Sequence, residues 1–153
     1  GIRVAFFDID GVFTDGGLLF SGEGETLKRF NILDGLGVKL LQQGGITPVV
    51  ITGRDSAPLR KRLAALGVDR VFYGTEDKAP AAERALADLG LTWAQAAAIG
   101  DDWPDLPVLR RCAFPAAPAQ AVMVARSGPS SATATGDASW SAPFSDAVMI
   151  RSR

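Results

Sequence analysis

Histidine is absent from this 153-residue chain. That omission removes Ser-His-Asp and Cys-His nucleophiles, histidine phosphatases and most catalytic zinc sites. Any catalysis has to run on carboxylates, Lys, Arg, hydroxyls, backbone amides and a metal ion. Cysteine occurs once, at Cys112, so no internal disulfide can form and the residue is expected to be a small buried apolar side chain. Charge of neither sign dominates. With 16 basic and 17 acidic residues the net charge is -1, and no basic stripe stands out, which argues against nucleic acid or an anionic membrane surface as the main partner. No apolar run approaches the ~18 residues that cross a bilayer, and there is no secretory-type leader. The expectation is a soluble, cytoplasmic domain. The length suits one domain rather than two, and a hydrophobic content of 47% allows a sizeable core.

What is present starts with Asp8-Ile9-Asp10-Gly11-Val12, directly after Val4-Ala5-Phe6-Phe7. The apolar run reads as a buried parallel strand. In extended backbone, residues i and i+2 point to one side, so Asp8 and Asp10 are expected to project together from the strand's carboxyl end, where open α/β sheets bind ligands. Two carboxylates so close are costly unless a cation lies between them or one holds a proton.

Further strand-like runs fall at Thr47–Ile51, Arg70–Tyr73, Ala97–Ile99 and about Cys112–Ala116, with helical patterns over Asp34–Gly44, Ser56–Gly67 and Lys78–Gly90. This alternation indicates βαβ units and a doubly wound parallel α/β sheet. Residues 16–30 break it: their glycine-rich turn predicts a β-hairpin projecting over the site like a flap. From about Arg126 to Arg153 the chain is rich in Ser, Ala, Thr, Gly and Pro without a sustained period, and reads as an irregular tail.

Four successive strand ends carry polar residues: Asp8 and Asp10; Thr52-Gly53-Arg54; Asp77-Lys78; and Gly100-Asp101-Asp102-Trp103-Pro104-Asp105. In a doubly wound sheet they meet along one edge, and together they suit phosphoryl transfer. A carboxylate such as Asp8 can attack phosphorus. Mg²⁺ on oxygen ligands from Asp8 and Asp101, with the Asp10 carbonyl, offsets the repulsion between two anions. The Thr52 hydroxyl, backbone amides and Lys78 bind the phosphoryl oxygens, and Asp10 serves as acid and base. Taken one at a time, each motif has a plain reading as turn, cap or solvated surface. Their joint order favours the site.

Asp8-x-Asp10-Gly-Val, Thr52, Lys78 and Gly-Asp101-Asp102-x-x-Asp105 resemble, in order, the four motifs of the haloacid dehalogenase superfamily. The resemblance covers about residues 2–125 and implies a Rossmann-like core, Asp8 as nucleophile, Asp10 as acid/base and Mg²⁺ held by Asp8, Asp10 and Asp101, with Asp102 and Asp105 behind them. Only 42 residues separate Asp10 from Thr52, room for the hairpin and one helix but not for a cap domain. Gly24–Asn31, Asp34–Val38, Ile51–Arg54 and Asp77-Lys78 resemble the capless branch that contains the 3-deoxy-D-manno-octulosonate 8-phosphate phosphatases.

That resemblance implies a phosphorylated sugar acid as substrate. Gly11, Asn31, Gly53, Arg54 and Arg62 fall at substrate-contacting positions, and Lys39 stands where an arginine is expected, keeping charge but losing the bidentate fork. It also implies a homotetramer formed through the hairpins, with sites at subunit interfaces; lacking a cap, such a site must have its water excluded by a neighbour. After Val122 the chain departs from the pattern, since a short strand, a glycine-rich turn and a final amphipathic helix are expected there. Two alternatives stay open: a sialic or deaminoneuraminic acid 9-phosphate phosphatase, and, in another class, a catalytically silent assembly or signalling domain. A receiver domain uses similar groups, but with its acidic pair first and its phosphoacceptor after the third strand, the reverse of the order here.

Overall fold

The computed structural model describes residues 1–121 and 148–150. Six strands, β1 (Val4–Phe7), β4 (Thr47–Ile51), β5 (Arg70–Phe72), β6 (Ala96–Ile99), β7 (Phe114–Pro118) and β8 (Val148–Ile150), form one sheet in the order β5-β4-β1-β6-β7-β8. Every pairing in it is parallel. The chain leaves β1 in one direction through β4 and β5, then returns to the other side of β1 with β6. That reversal makes the carboxyl end of β1 a topological switch point.

Strand alternation distributes the core over both faces. Val49 and Ile51 of β4 join Val4 and Phe6 of β1 against Ala82, Ala85 and Leu86 of helix α3 (Lys78–Leu89) and Val108 and Leu109 of the short α4 (Leu106–Leu109). Val50, between them, faces the other way, with Val38 of α1 (Ile32–Gln43) and Leu59, Leu63 and Leu66 of α2 (Ala57–Leu66). The result is a three-layer α/β sandwich, as the alternation of elements predicts. Helices α2 and α3 end where their glycines allow: Gly67 and Gly90 adopt φ of 68° and 64°, the left-handed cap conformation that other residues adopt only under strain. Cys112 is buried beside α4, where burial pushes its thiol up to about 12.

The hairpin forms as expected from β2 (Leu19–Ser21) and β3 (Gly24–Leu27), a separate antiparallel pair. Among the boundaries that differ from the sequence reading, two have a clear local cause. Helix α1 begins at Ile32, not Asp34, because the Asn31 side chain caps it by accepting the Leu33 amide at 2.9 Å. Strand β7 begins at Phe114, not Cys112, because the Cys112 amide still donates to the Val108 carbonyl and so prolongs the turn of α4. Of the tail expected to be irregular, Val148–Ile150 forms β8 beside β7; the rest of that expectation lies outside the described residues. Among the described residues no helix is long and apolar enough to cross a membrane.

Candidate active site

Phe7 pairs with both Val50 and Ile99, so Asp8, Thr52 and Asp101 all leave the sheet within two residues of one level. The candidate site is built on that row. The Asp8 amide donates to the Ile99 carbonyl at 3.1 Å, fixing the nucleophile candidate between β1 and β6. Lys78, the first residue of α3, reaches back beneath it: its Nζ donates to Asp8 Oδ1 and to Asp105 Oδ1, both at 2.6 Å, in a buried triad. The other oxygen of Asp105 accepts the amides of Asp101 and Asp102 at 3.0 and 3.2 Å. Asp105 therefore ties the loop after β6 to Lys78, and Asp102 caps the turn that carries it by accepting the Trp103 amide.

The electrostatics are those of a site short of positive charge. One oxygen from each of Asp8, Asp101 and Asp105 lies within 4.8 Å of the others. Burial, with Asp105 nearby and only partly offset by Lys78, raises the Asp8 carboxyl to about 6. Burial and the carboxylates of Asp8, Asp105 and Asp102 raise Asp101 to about 7. Burial would lower the Lys78 ammonium, but Asp8 and Asp105 outweigh it and hold the group above its ordinary value. Asp101 Oδ1 is buried and has no hydrogen-bond partner among the described residues. An all-oxygen donor set with an orphaned carboxylate oxygen fits a hard divalent cation, and Asp8 and Asp101 are the side chains placed to hold one.

Gly11 is required by this arrangement. Its φ is 89°, and a Cβ built there would sit 1.9 Å from Asp101 Oδ2. The Gly11 carbonyl accepts from Gln120 Nε2 at 2.9 Å, which braces the loop from the β7 side. Gly100 plays the same part under Asp105, where a Cβ would fall 2.3 Å from the carboxyl carbon.

Asp10 does not share the surroundings of Asp8, as extended backbone would require. Strand β1 ends at Phe7, and the amides of Val12, Phe13 and Thr14 converge on the Ile9 carbonyl, which curls the chain after Asp8. The Asp10 side chain instead meets Lys28 Nζ at 2.5 Å through Oδ1 and Arg54 Nε at 3.6 Å through Oδ2. Lys28, at the foot of the hairpin, also pairs with Glu25 at 3.0 Å. Lys28 lies within the Gly24–Asn31 stretch that carries the family resemblance, but the sequence gives it no role of its own: a lysine between Leu27 and Arg29 reads as solvated, and only the folded hairpin brings it to Asp10.

Thr52 is completely buried at the end of β4. Its amide donates to the Phe72 carbonyl, its carbonyl accepts from Thr75, and its hydroxyl accepts the Arg54 amide at 3.2 Å, shaping the turn through Gly53. The remaining candidates are spread more widely. Asn31 spends its side-chain oxygen on the cap of α1, and Arg62 reaches the Asn31 carbonyl at 3.4 Å and lies over the Phe30 ring. Lys39 is not drawn to the carboxylates; its Nζ lies toward Gly67, at the far end of α2.

No family model matches the chain. Individual relatives do. The chain is 42% identical over 111 residues to the 3-deoxy-D-manno-octulosonate 8-phosphate phosphatase of Haemophilus influenzae, covering 72% of this chain and 62% of that protein. It superposes on the structure of a probable YrbI family phosphatase from Pseudomonas syringae with a TM-score of 0.79 and 45% identity, covering 82% of this chain and 71% of the other. A third relative is the Moraxella catarrhalis 3-deoxy-D-manno-octulosonate 8-phosphate phosphatase, in complex with magnesium, phosphate and the sugar acid: TM-score 0.78, 35% identity, covering 82% and 72%. An acidic site of this design on this sheet is that of the haloacid dehalogenase superfamily. Within it, the chain belongs to the 3-deoxy-D-manno-octulosonate 8-phosphate phosphatase family. It spans 62–64% of the length of the curated relatives it matches.

Proposed function

We propose that this chain is a Mg²⁺-dependent phosphatase that hydrolyses 3-deoxy-D-manno-octulosonate 8-phosphate, a reaction that would serve lipopolysaccharide biosynthesis. The observation that carries the reading is the buried Asp8–Lys78–Asp105 triad facing the orphaned Asp101 carboxylate. Asp8 attacks phosphorus, forming an acyl phosphate as the ester P–O bond breaks, and Asp10 gives the departing alcohol oxygen its proton. Water then attacks the same phosphorus, Asp10 takes its proton, and phosphate leaves with Asp8 restored. Lys78 and Thr52 hold the phosphoryl oxygens as their charge spreads. Mg²⁺, held by Asp8, Asp101 and the Asp10 carbonyl, would supply further charge neutralisation there. Arg54, whose guanidinium is half-exposed beside Asp10, suits the substrate's carboxylate.

The reading extends to a homotetramer. Most of the exposed large apolar side chains among the described residues gather on the hairpin and the outer face of α1, including Phe20, Leu27, Ile32, Leu33, Leu36 and Leu40. Ile32 is 80% exposed and Phe20 66%. A patch of that kind marks an interaction surface, and burying it would bring neighbouring chains to the mouth of the site. Phosphate release from the octulosonate 8-phosphate, a sialic acid 9-phosphate and deaminoneuraminic acid 9-phosphate, each with and without Mg²⁺, tests the function. The proposal expects Mg²⁺-dependent turnover that is fastest on the first. Preference for a nine-carbon ester would replace the substrate, and no release from any of the three would point to a silent assembly domain.

A further inference from the structure

Lys28 is the buried cation that the mechanism above leaves unused. Its side chain is only 1% exposed, and its Nζ is taken up by two acids, 2.5 Å from Asp10 Oδ1 and 3.0 Å from Glu25 Oε1. The Glu25 oxygen is itself sealed from solvent and has no hydrogen bond among the described residues, so the ion pair with Lys28 is what compensates its charge. Asp10 is 21% exposed, and its second oxygen faces the open side toward Arg54. The two oxygens are thus divided: one is anchored to the hairpin, the other is left toward the substrate.

We propose that Lys28 is a positioning residue that orients the Asp10 carboxyl for proton transfer and couples it to the seating of the hairpin. A carboxylate at the end of a curled loop would otherwise sample several rotamers, and a buried ammonium fixed by a second acid restricts it to one. Proton transfer in the transition state demands that restriction, because the donor must stand within hydrogen-bond reach of the leaving oxygen. Binding of the substrate's carboxylate by Arg54 does not depend on it. The inference rests on Asp10 being the acid/base of the proposed phosphatase.

The test compares two esters in the full chain. In the sugar-acid 8-phosphate the leaving alkoxide needs a proton; in 4-nitrophenyl phosphate the leaving phenolate does not. Lys28→Met is expected to lower kcat/KM on the sugar ester by roughly 10- to 100-fold, within the range general acid catalysis supplies, and on the aryl ester by no more than about threefold. This selective loss is read from kcat/KM because that parameter reports the steps through the first irreversible transfer. Lys28→Arg, which keeps the charge, should restore the wild-type ratio between the esters, and it serves in place of Lys28→Met if circular dichroism shows the latter unfolded: an unchanged ratio then supports the role only if Lys28→Gln distorts it. Equal losses on both esters in the folded variants would overturn the positioning role. Wild-type protein that releases phosphate from neither ester would overturn the phosphatase reading, and this inference with it.

Discussion

The carboxylate cluster makes the protein's stability respond to pH and to Mg²⁺ together. In the cation-free fold Asp8 stands at about 6 against an ordinary 3.8, and Asp101 at about 7. A carboxyl raised in the folded state favours folding fully below its unfolded value and loses that contribution as pH climbs through the folded one. For Asp8 the difference amounts to about 2 kcal/mol between pH 4 and pH 8. At roughly 2–4 °C per kcal/mol for a chain of this size, the melting temperature without divalent cation should fall by roughly 4–8 °C over that interval from Asp8 alone. A cation that binds the ionised pair reverses the loss, and it must displace protons to bind below pH 6. The stabilisation by a fixed Mg²⁺ concentration should therefore be small at pH 5 and large at pH 8. Scanning fluorimetry across this range, with Mg²⁺ and with a chelator, reads both effects. A Mg²⁺ shift independent of pH, or larger at pH 5, would refute the assignment of Asp8 and Asp101 as the cation-holding pair.

Other expectations follow from single contacts. Gly11→Ala should abolish turnover and weaken Mg²⁺ binding, because the added carbon falls 1.9 Å from Asp101 Oδ2 at a φ of 89°; calorimetric Mg²⁺ titration checks it. Lys78→Met strands two buried carboxylates without a cation and should cost about 3–5 kcal/mol, measured by urea unfolding with chelator present. Leu109→Ala, in the packed face between α4 and the sheet, should cost about 2–5 kcal/mol without changing the pH profile of the surviving activity. Phe20→Ser with Ile32→Ser should lower the molar mass seen by light scattering while leaving the far-ultraviolet spectrum intact, since both side chains are exposed in the single chain.

Much of this architecture was legible in the sequence because it depends on short-range pattern. Apolar runs of three to five residues ending in Asp8, Thr52 and Asp101 announce strands and their functional edge, and Gly67 and Gly90 mark where helices stop. The Gly-Asp-Asp-x-x-Asp spacing sets Asp105 behind Asp101, and in the structure Asp105 holds Lys78 with one oxygen and two loop amides with the other. The divergence of Asp10 from Asp8 was hidden, because the period-2 rule holds only while the backbone stays extended and β1 stops at Phe7. Lys28 was hidden for another reason. Its pairing with Asp10 spans 18 residues and depends on how a hairpin folds back, which no local pattern encodes. Lys39 illustrates the converse: positional resemblance put it with substrate, while α1 carries it toward the opposite end of α2.

Everything in the proposed reaction depends on covalent phosphorylation of the Asp8 carboxylate. Acid quenching during turnover of the octulosonate 8-phosphate, borohydride reduction of the acyl phosphate and peptide mass mapping tests it directly. The reduced residue is expected at position 8 and absent in Asp8→Asn. Reduction mapped to Asp10 or Asp101 instead, or turnover that survives in Asp8→Asn, would contradict it.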